Sequence, residues 1–259
     1  MSLADIQNTP DERNIPIDRV GVRNVRFPIR VKDRSNVSQP TVGTFTLTVD
    51  LPKHFKGTHM SRFLEVLHDY GHQIDGESLP MILEELRGRL NSQTAHLDVE
   101  FPYFMAKPAP VTGNIGLMEY DCGFSFSRGD TEYAKVIAKV PVATLCPCSK
   151  EISERGAHNQ RGLVTAVIEP FEFVWLEEII EMIEDSASCS LYSVLKRPDE
   201  KFVTEHAYDN PRFVEDVVRE VSIRFDADNR IEAYTVEVEN FESIHAHNAY
   251  AMIERRKSS

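Results

Sequence analysis

The sequence predicts an α+β fold in which antiparallel sheets carry helices on one face. Three observations lead there. Residues 44–51 alternate, with Phe45, Leu47, Val49 and Leu51 on one side, which is the pattern of a half-buried antiparallel strand. Two stripes of helical period follow before alternating segments return. The same order, β-β-α-α-β-β, recurs in the second half, which predicts a duplicated unit of two helices laid on a four-stranded sheet.

Residues 1–20 show no apolar period and read as a mobile or extended arm, leaving units at 21–130 and 131–259. Residues 21–31 form the first strand, where Pro28 implies an edge position or a bulge. Thr58 can cap a helix carrying Met60, Phe63, Leu64 and Leu67, and Gly71 can stop it. Ser78 and Pro80 open a second helix with Leu79, Leu83, Leu86 and Leu90. Strands return at 95–101 and 112–127. The second half supplies strands at 133–144 and 161–170, then a helix with Val174, Leu176, Ile179, Ile180 and Ile183. Asn210 reads as the N-cap of the next helix, with Pro211 at its first position and a stripe of Phe213, Val214, Val217, Val218 and Val221. Strands at 230–240 and 246–255 close the chain. Antiparallel sheets leave edges that assembly can hide, so oligomerisation is expected, with sheets joining around a ring.

Composition narrows the function. The chain has 259 residues, 41% hydrophobic and 27% charged, ordinary for a globular protein with a sizeable core. Four cysteines are too few and too unevenly spaced for a disulfide framework, so a reducing compartment fits. The polar start has no apolar stretch of the signal-peptide kind, and no run of about 18 apolar residues exists, so we expect a cytoplasmic protein without a membrane partner. A net charge of -12 argues against a nucleic-acid binder, although a local cluster of Arg and Lys can still hold a nucleotide.

The chemistry concentrates in Cys146-Pro147-Cys148-Ser149-Lys150 and, ten residues after Cys148, His158 within Gly156-Ala157-His158-Asn159-Gln160-Arg161-Gly162. Thiolate with imidazole is soft, zinc-type ligation, and too few such groups lie nearby to close a four-ligand site, so an open catalytic metal is the natural reading. In an extended segment Cys146 and Cys148 face the same side, roughly 6.5–7 Å apart. A redox pair, a division into one metal ligand and one substrate-facing thiol, and two buried small hydrophobes all remain open. Arg161 can meet a phosphate or be merely solvated. Glu200 lies in a charged loop and Glu215 in the first turn of a helix, where a carboxylate simply suits the helix dipole. His245 and His247, two apart in a strand-like stretch, suit metal binding or proton transfer. Phosphate-loop, dinucleotide-binding, nucleophile-elbow and His-Glu-x-x-His patterns are all missing.

Together with Lys56-Gly57-Thr58-His59-Met60-Ser61-Arg62-Phe63 and Glu242-Ser243-Ile244-His245-Ala246-His247, these motifs resemble type IB GTP cyclohydrolase, the prokaryotic metal-dependent form, over residues 20 to 255. The resemblance implies the tunnelling fold (T-fold), two units per chain, a homotetramer, and conversion of GTP and water to 7,8-dihydroneopterin triphosphate and formate. It implies Cys146, His158 and Glu200 as ligands of a divalent ion, Zn2+ or Mn2+ with Fe2+ as a further candidate, and no organic cofactor. It assigns Cys148 to a catalytic thiol near the purine C8, Glu215 to the guanine edge, and His245, with Glu242 and His247 close by, to proton transfer. Arg62, Lys150 and Arg161 are the candidates for the triphosphate. Two rivals accompany this reading. One is the nitrile-reducing T-fold enzyme of queuosine synthesis, which would use a nucleophilic cysteine and NADPH; the other is a non-catalytic zinc protein with a closed shell.

Overall fold

A computed structural model describes residues 7, 9–74 and 78–257. The predicted arm falls partly outside these; around Gln7–Asp11 it runs alongside 54–57, where the Gly57 and Lys56 amides donate to the Gln7 and Thr9 carbonyls and the Asp11 amide donates to the His54 carbonyl, and from Ile17 it is already strand. The chain separates into two units. The first comprises the described residues up to Phe101 with Gly123–Lys135, and the second comprises Pro102–Cys122 and everything from Val136 onward.

In the first unit, β1 (Ile17–Lys32) and β2 (Ser38–Leu51) form a long antiparallel hairpin. Next come α1 (Met60–Tyr70), the two-residue β3 (Gln73–Ile74) and α2 (Ser78–Leu90), then β4 (Ala95–Pro108) and β5 (Ile115–Arg128). The strand order is β5-β4-β2-β1-β3. Phe45, Leu47, Val49 and Leu51 are all buried, as their alternation requires, together with Phe63 and Leu67 of α1 and Leu79, Leu83 and Leu86 of α2. The two helices pack on each other and on the β1–β2 side of the sheet. Among the described residues β3 covers the outer side of β1 only at Arg30–Val31, which leaves Pro28 on an uncovered stretch of that edge, where a missing N–H is tolerated. One detail differs from expectation: His59, not Thr58, holds the N-cap position of α1, and its side chain makes no capping hydrogen bond there.

The second unit adds β6 (Tyr133–Leu145), α3 (Pro147–Ile152), β7 (Asn159–Pro170), α4 (Leu176–Glu184), β8 (Cys189–Ser190), α5 (Arg197–Asp209), α6 (Val214–Ala227), β9 (Ile231–Asn240) and β10 (Ala249–Arg256). Its strand order is β10-β9-β7-β6-β5-β4, with β8 on β6. The α4 residues Leu176, Ile179, Ile180 and Ile183 and the α6 residues Val214, Val217, Val218 and Val221 are buried as their spacing predicts, and α6 lies on β9 and β10. No helix among the described residues is long and apolar enough to cross a membrane.

Three sequence expectations fail here. Glu200 is not in a loop but in the first turn of α5, and Asn210 is the C-cap of that helix; the N-cap of α6 is Phe213. Nor are Cys146 and Cys148 in an extended segment. Cys146 is the N-cap of α3 and Cys148 lies in its first turn, so the shared face expected of a strand is lost. The cause is Pro147: its fixed φ and missing N–H suit the opening turn of a helix, where that donor has no intrahelical partner.

Candidate active site

The β6 strand ends at Leu145 and hands the chain to Cys146, whose backbone is still extended. The Cys146 sulfur accepts the Ser149 amide at 3.5 Å, a long contact typical of sulfur. The Cys146 carbonyl accepts the Ser149 hydroxyl at 3.1 Å and the Lys150 amide at 3.2 Å. After α3 the chain runs exposed to Gly156, whose φ of +86° turns it back in the left-handed region that glycine enters without steric penalty. His158 then returns beside its starting point. Its carbonyl accepts the Cys146 amide at 3.1 Å, and its own amide donates to the Ser149 hydroxyl at 3.2 Å. Thiol and imidazole residues twelve apart in the chain are thus neighbours at the mouth of the β6–β7 pair.

β9 brings the remaining groups. Its last residue, Asn240, pairs with Gly162, and the Phe241 amide extends the ladder to the Arg161 carbonyl. A methyl group on Gly162 would stand 2.6 Å from the Asn240 side-chain oxygen, so alanine here would force that buried amide to shift. Beyond this point Glu242 and Ser243 fold over His158. Around its Nδ1 stand the Gln160 Oε1 at 3.0 Å, the Ser243 Oγ at 3.4 Å and the Glu242 Oε2 at 3.8 Å. The Glu242 oxygen is buried and has no hydrogen-bond partner. His245 and His247 follow, exposed, with rings stacked at 5.2 Å and 17°.

The other predicted residues are placed less centrally. Glu200 is exposed on α5, and it does not converge with Cys146 and His158 into a cluster that could hold a metal ion. Its helix is firmly seated. Asp199, next to it, accepts the Val111 and Thr112 amides, the Thr112 hydroxyl and the Lys196 amide, all between 2.7 and 2.9 Å. Burial would raise the Asp199 pKa, but the bonds from Thr112, Lys196 and Val111 outweigh it and hold this carboxyl well below the usual carboxylate range. At the other end of α5, the Lys150 ammonium donates to the Tyr208 carbonyl at 2.5 Å and lies 4.3 Å over the Tyr208 ring, tying α3 to α5. Glu215 is exposed in the first turn of α6, as read from the sequence, and the Arg212 amide anchors the approach to that helix on the Leu145 carbonyl beside Cys146. The Arg161 side chain is exposed. Arg62 belongs to the first unit, where its guanidinium donates to the Arg89 carbonyl at the end of α2. Sequence reasoning missed Thr144, Ser149, Gln160 and Ser243; no periodicity marks them, and only the shared strand register of Thr144 and Gln160 reveals their role.

Cys122 and Cys189 are buried, and burial pushes both thiols up in pKa, so Cys146 and Cys148 are the two cysteines that reach the surface. Among the described residues no three of Cys, His, Asp and Glu converge closely enough to hold an ion in this arrangement. The donor types nevertheless suit a borderline-soft divalent ion: the Cys146 thiol, the His158 imidazole whose Nδ1 is occupied, and nearby carboxylates, one with an orphaned buried oxygen.

Thiols, imidazoles and carboxylates grouped at the strand ends of an antiparallel α+β scaffold are the equipment of a hydrolase. The model of the family described as type I GTP cyclohydrolase folE2 matches residues 3–251. Proteins named GTP cyclohydrolase FolE2 from Nitrosococcus oceani and Kosmotoga olearia are each 52% identical, over 98% and 99% of this chain and 96% and 100% of theirs. The chain belongs to the type I GTP cyclohydrolase FolE2 family. Among solved structures, a highly active mutant of Bacillus sp. TB-90 urate oxidase superposes with a TM-score of 0.54 at 7% identity, over 93% of this chain and 100% of that one. A second urate oxidase structure from the same source gives 0.53 at 8%. At that identity the likeness is one of fold.

Proposed function

We infer that this chain is a GTP cyclohydrolase I, converting GTP and water to 7,8-dihydroneopterin triphosphate and formate at the start of tetrahydrofolate synthesis. The observation that carries this is the FolE2 family match over residues 3–251, a span that includes Cys146, His158, Glu200, Glu215 and Glu242. Within type I, the thiol–imidazole–carboxylate set supports the metal-dependent prokaryotic subtype IB.

The substrate poses a specific problem: C8 of guanine is a weak electrophile, and water is a weak nucleophile. Cys146, His158 and Glu200 would hold a divalent ion, Zn2+ or Mn2+ with Fe2+ as a third candidate, which when bound supplies hydroxide at neutral pH. The protein's own groups do the rest. Glu215, exposed at the start of α6, accepts the paired N–H groups of the guanine edge and fixes the base. His245 delivers a proton to N7, which makes C8 electrophilic, with His247 stacked behind it. Glu242 steadies the region from the His158 side. Cys148, exposed on α3, faces C8. Water adds at C8 and the ring opens to a formamide; a second water releases formate. Closure of the rearranged ribose carbons on the freed amines returns one water, so the balance is one water consumed. Arg161, Lys150 and Arg62 are the cations offered to the triphosphate, and Lys150 would have to leave Tyr208 to reach it.

The same reading takes the chain as two T-fold units, 21–130 and 131–259, behind an arm at 1–20. It assembles them as a homotetrameric ring in the cytoplasm, with no organic cofactor, nucleic acid or membrane partner. The terminal positions of β3 and β10 in their strand orders support assembly through edges. The test is metal analysis alongside formate release and pterin fluorescence with GTP. Cys146→Ala should lose metal and turnover together, and Cys148→Ala should lose turnover and keep metal. Normal turnover in both variants would overturn the site, and no turnover by the metal-loaded wild type would overturn the function.

A further inference from the structure

We propose that Gln160 is a positioning residue that keeps the His158 proton on Nδ1 and so leaves the Nε2 lone pair for a ligand. The proposal rests on the reading of His158 as a metal ligand. A neutral imidazole has one N–H and one lone pair, and the partner of one nitrogen decides the role of the other. Three oxygens gather at Nδ1: Gln160 Oε1 at 3.0 Å, Ser243 Oγ at 3.4 Å and Glu242 Oε2 at 3.8 Å. An ionised carboxylate can only accept, and the Glu242 oxygen is buried without a partner, so its charge favours a proton on Nδ1 over a lone pair there. Nε2 has no hydrogen-bond partner among the described residues.

The amide of Gln160 presents its carbonyl end to His158 and its NH2 end to Thr144. The Gln160 Nε2 donates to the Thr144 hydroxyl oxygen at 2.9 Å. Both side chains are buried, and the two residues sit directly opposite each other in the β6–β7 register. The sheet therefore holds the clamp, while the residues it serves lie at the sheet's rim. A ligating histidine whose second nitrogen donates to a carbonyl or carboxylate gains both orientation and basicity, and losing that partner weakens metal binding about 10- to 100-fold.

The experiment uses the full-length chain. Two-bond 1H–15N spectra of the 15N-histidine, metal-free protein read which nitrogen of His158 carries the proton. Co2+ titration, followed by thiolate-to-cobalt absorption, reads affinity at Cys146. Wild type should show the Nδ1–H form. Gln160→Met should shift His158 toward Nε2–H and weaken Co2+ about 10- to 100-fold, whereas Gln160→Glu, which keeps an acceptor, should restore the wild-type tautomer and most of the affinity. Gln160→Leu, which also removes the acceptor, provides the same reading if Gln160→Met does not fold. If Gln160→Met or, in its place, Gln160→Leu leaves the tautomer as in wild type, the proposal is overturned whatever the metal result. If wild type takes up no Co2+ with thiolate absorption, the metal reading fails, and the tautomer spectra still decide the role of Gln160.

Discussion

Replacing Lys107 with Met would strip the buried Glu184 carboxylate of its cationic partner. Lys107, on β4, places its ammonium 2.5 Å from Glu184 Oε2 and 4.5 Å over the Tyr192 ring, while the Tyr120 hydroxyl donates to Glu184 Oε1 at 2.8 Å. The two charged side chains are only 14% and 7% exposed. Removing one partner of a buried pair leaves a charge without compensation and costs about 3–5 kcal/mol. Loss of the cation–π contact adds about 0.5–2 kcal/mol. Met keeps most of the aliphatic stem, so lost packing contributes little. The chain's one tryptophan, Trp175, is the N-cap of α4, and Glu184 is that helix's last residue, so tryptophan fluorescence during urea unfolding reports on the same element. Lys107→Met combined with Glu184→Met removes the stranded charge and leaves only the Tyr120 hydroxyl unpaired, about 1–3 kcal/mol. The double variant should therefore be more stable than the single one. A single-variant loss below about 1 kcal/mol, or a double variant no better than the single, would refute this account.

Two further predictions concern other parts of the molecule. Gly162→Ala should lose about 1–3 kcal/mol in chemical denaturation, because its methyl group meets the Asn240 oxygen, and Asn240→Ala should relieve much of that loss. His96 is buried and stacked on Tyr133 at 6.5 Å, and burial, helped by Arg19, depresses its pKa. The fold thus favours its neutral form: its contribution is complete above the ordinary histidine value of about 6.5 and is lost as pH falls through the lower folded value. The midpoint of thermal unfolding should drop below about pH 6.5, and His96→Phe should flatten that drop.

Strands and helices with a clean apolar period were legible in the sequence, because burial of one face is what the period records. β2, α4 and α6 are examples. α5 was not, because it has almost no buried face; its buried residues are Asp199 and Ala207. The signal it did carry was Pro198 followed by Asp199 and Glu200, an acidic, proline-started first turn. α3 is hidden for a related reason: all of its residues stay at least partly exposed, so no apolar period marks it, and the Cys146-Pro147-Cys148 spacing alone suits an extended segment equally well. At the site, the neighbouring positions of Cys146 and His158 were suggested by the short loop between them, and the nearness of Glu242 by a family motif. The contacts of Gln160 with Thr144 depend on strand register, which spacing along one strand does not reveal.

The closed circuit of bonds among Cys146, Ser149 and His158 separates two kinds of change in the loop that joins them. Residues 151–156 all face solvent, and Gly156 has no atoms within 4 Å of where a side chain would begin. Lengthening or trimming the chain there would leave the sulfur and the imidazole where they stand, because their mutual placement is secured at the loop's base. One residue added between His158 and Gly162 would instead reverse which side of β7 every later residue faces, and would carry Arg161 and Gln160 away from their places together.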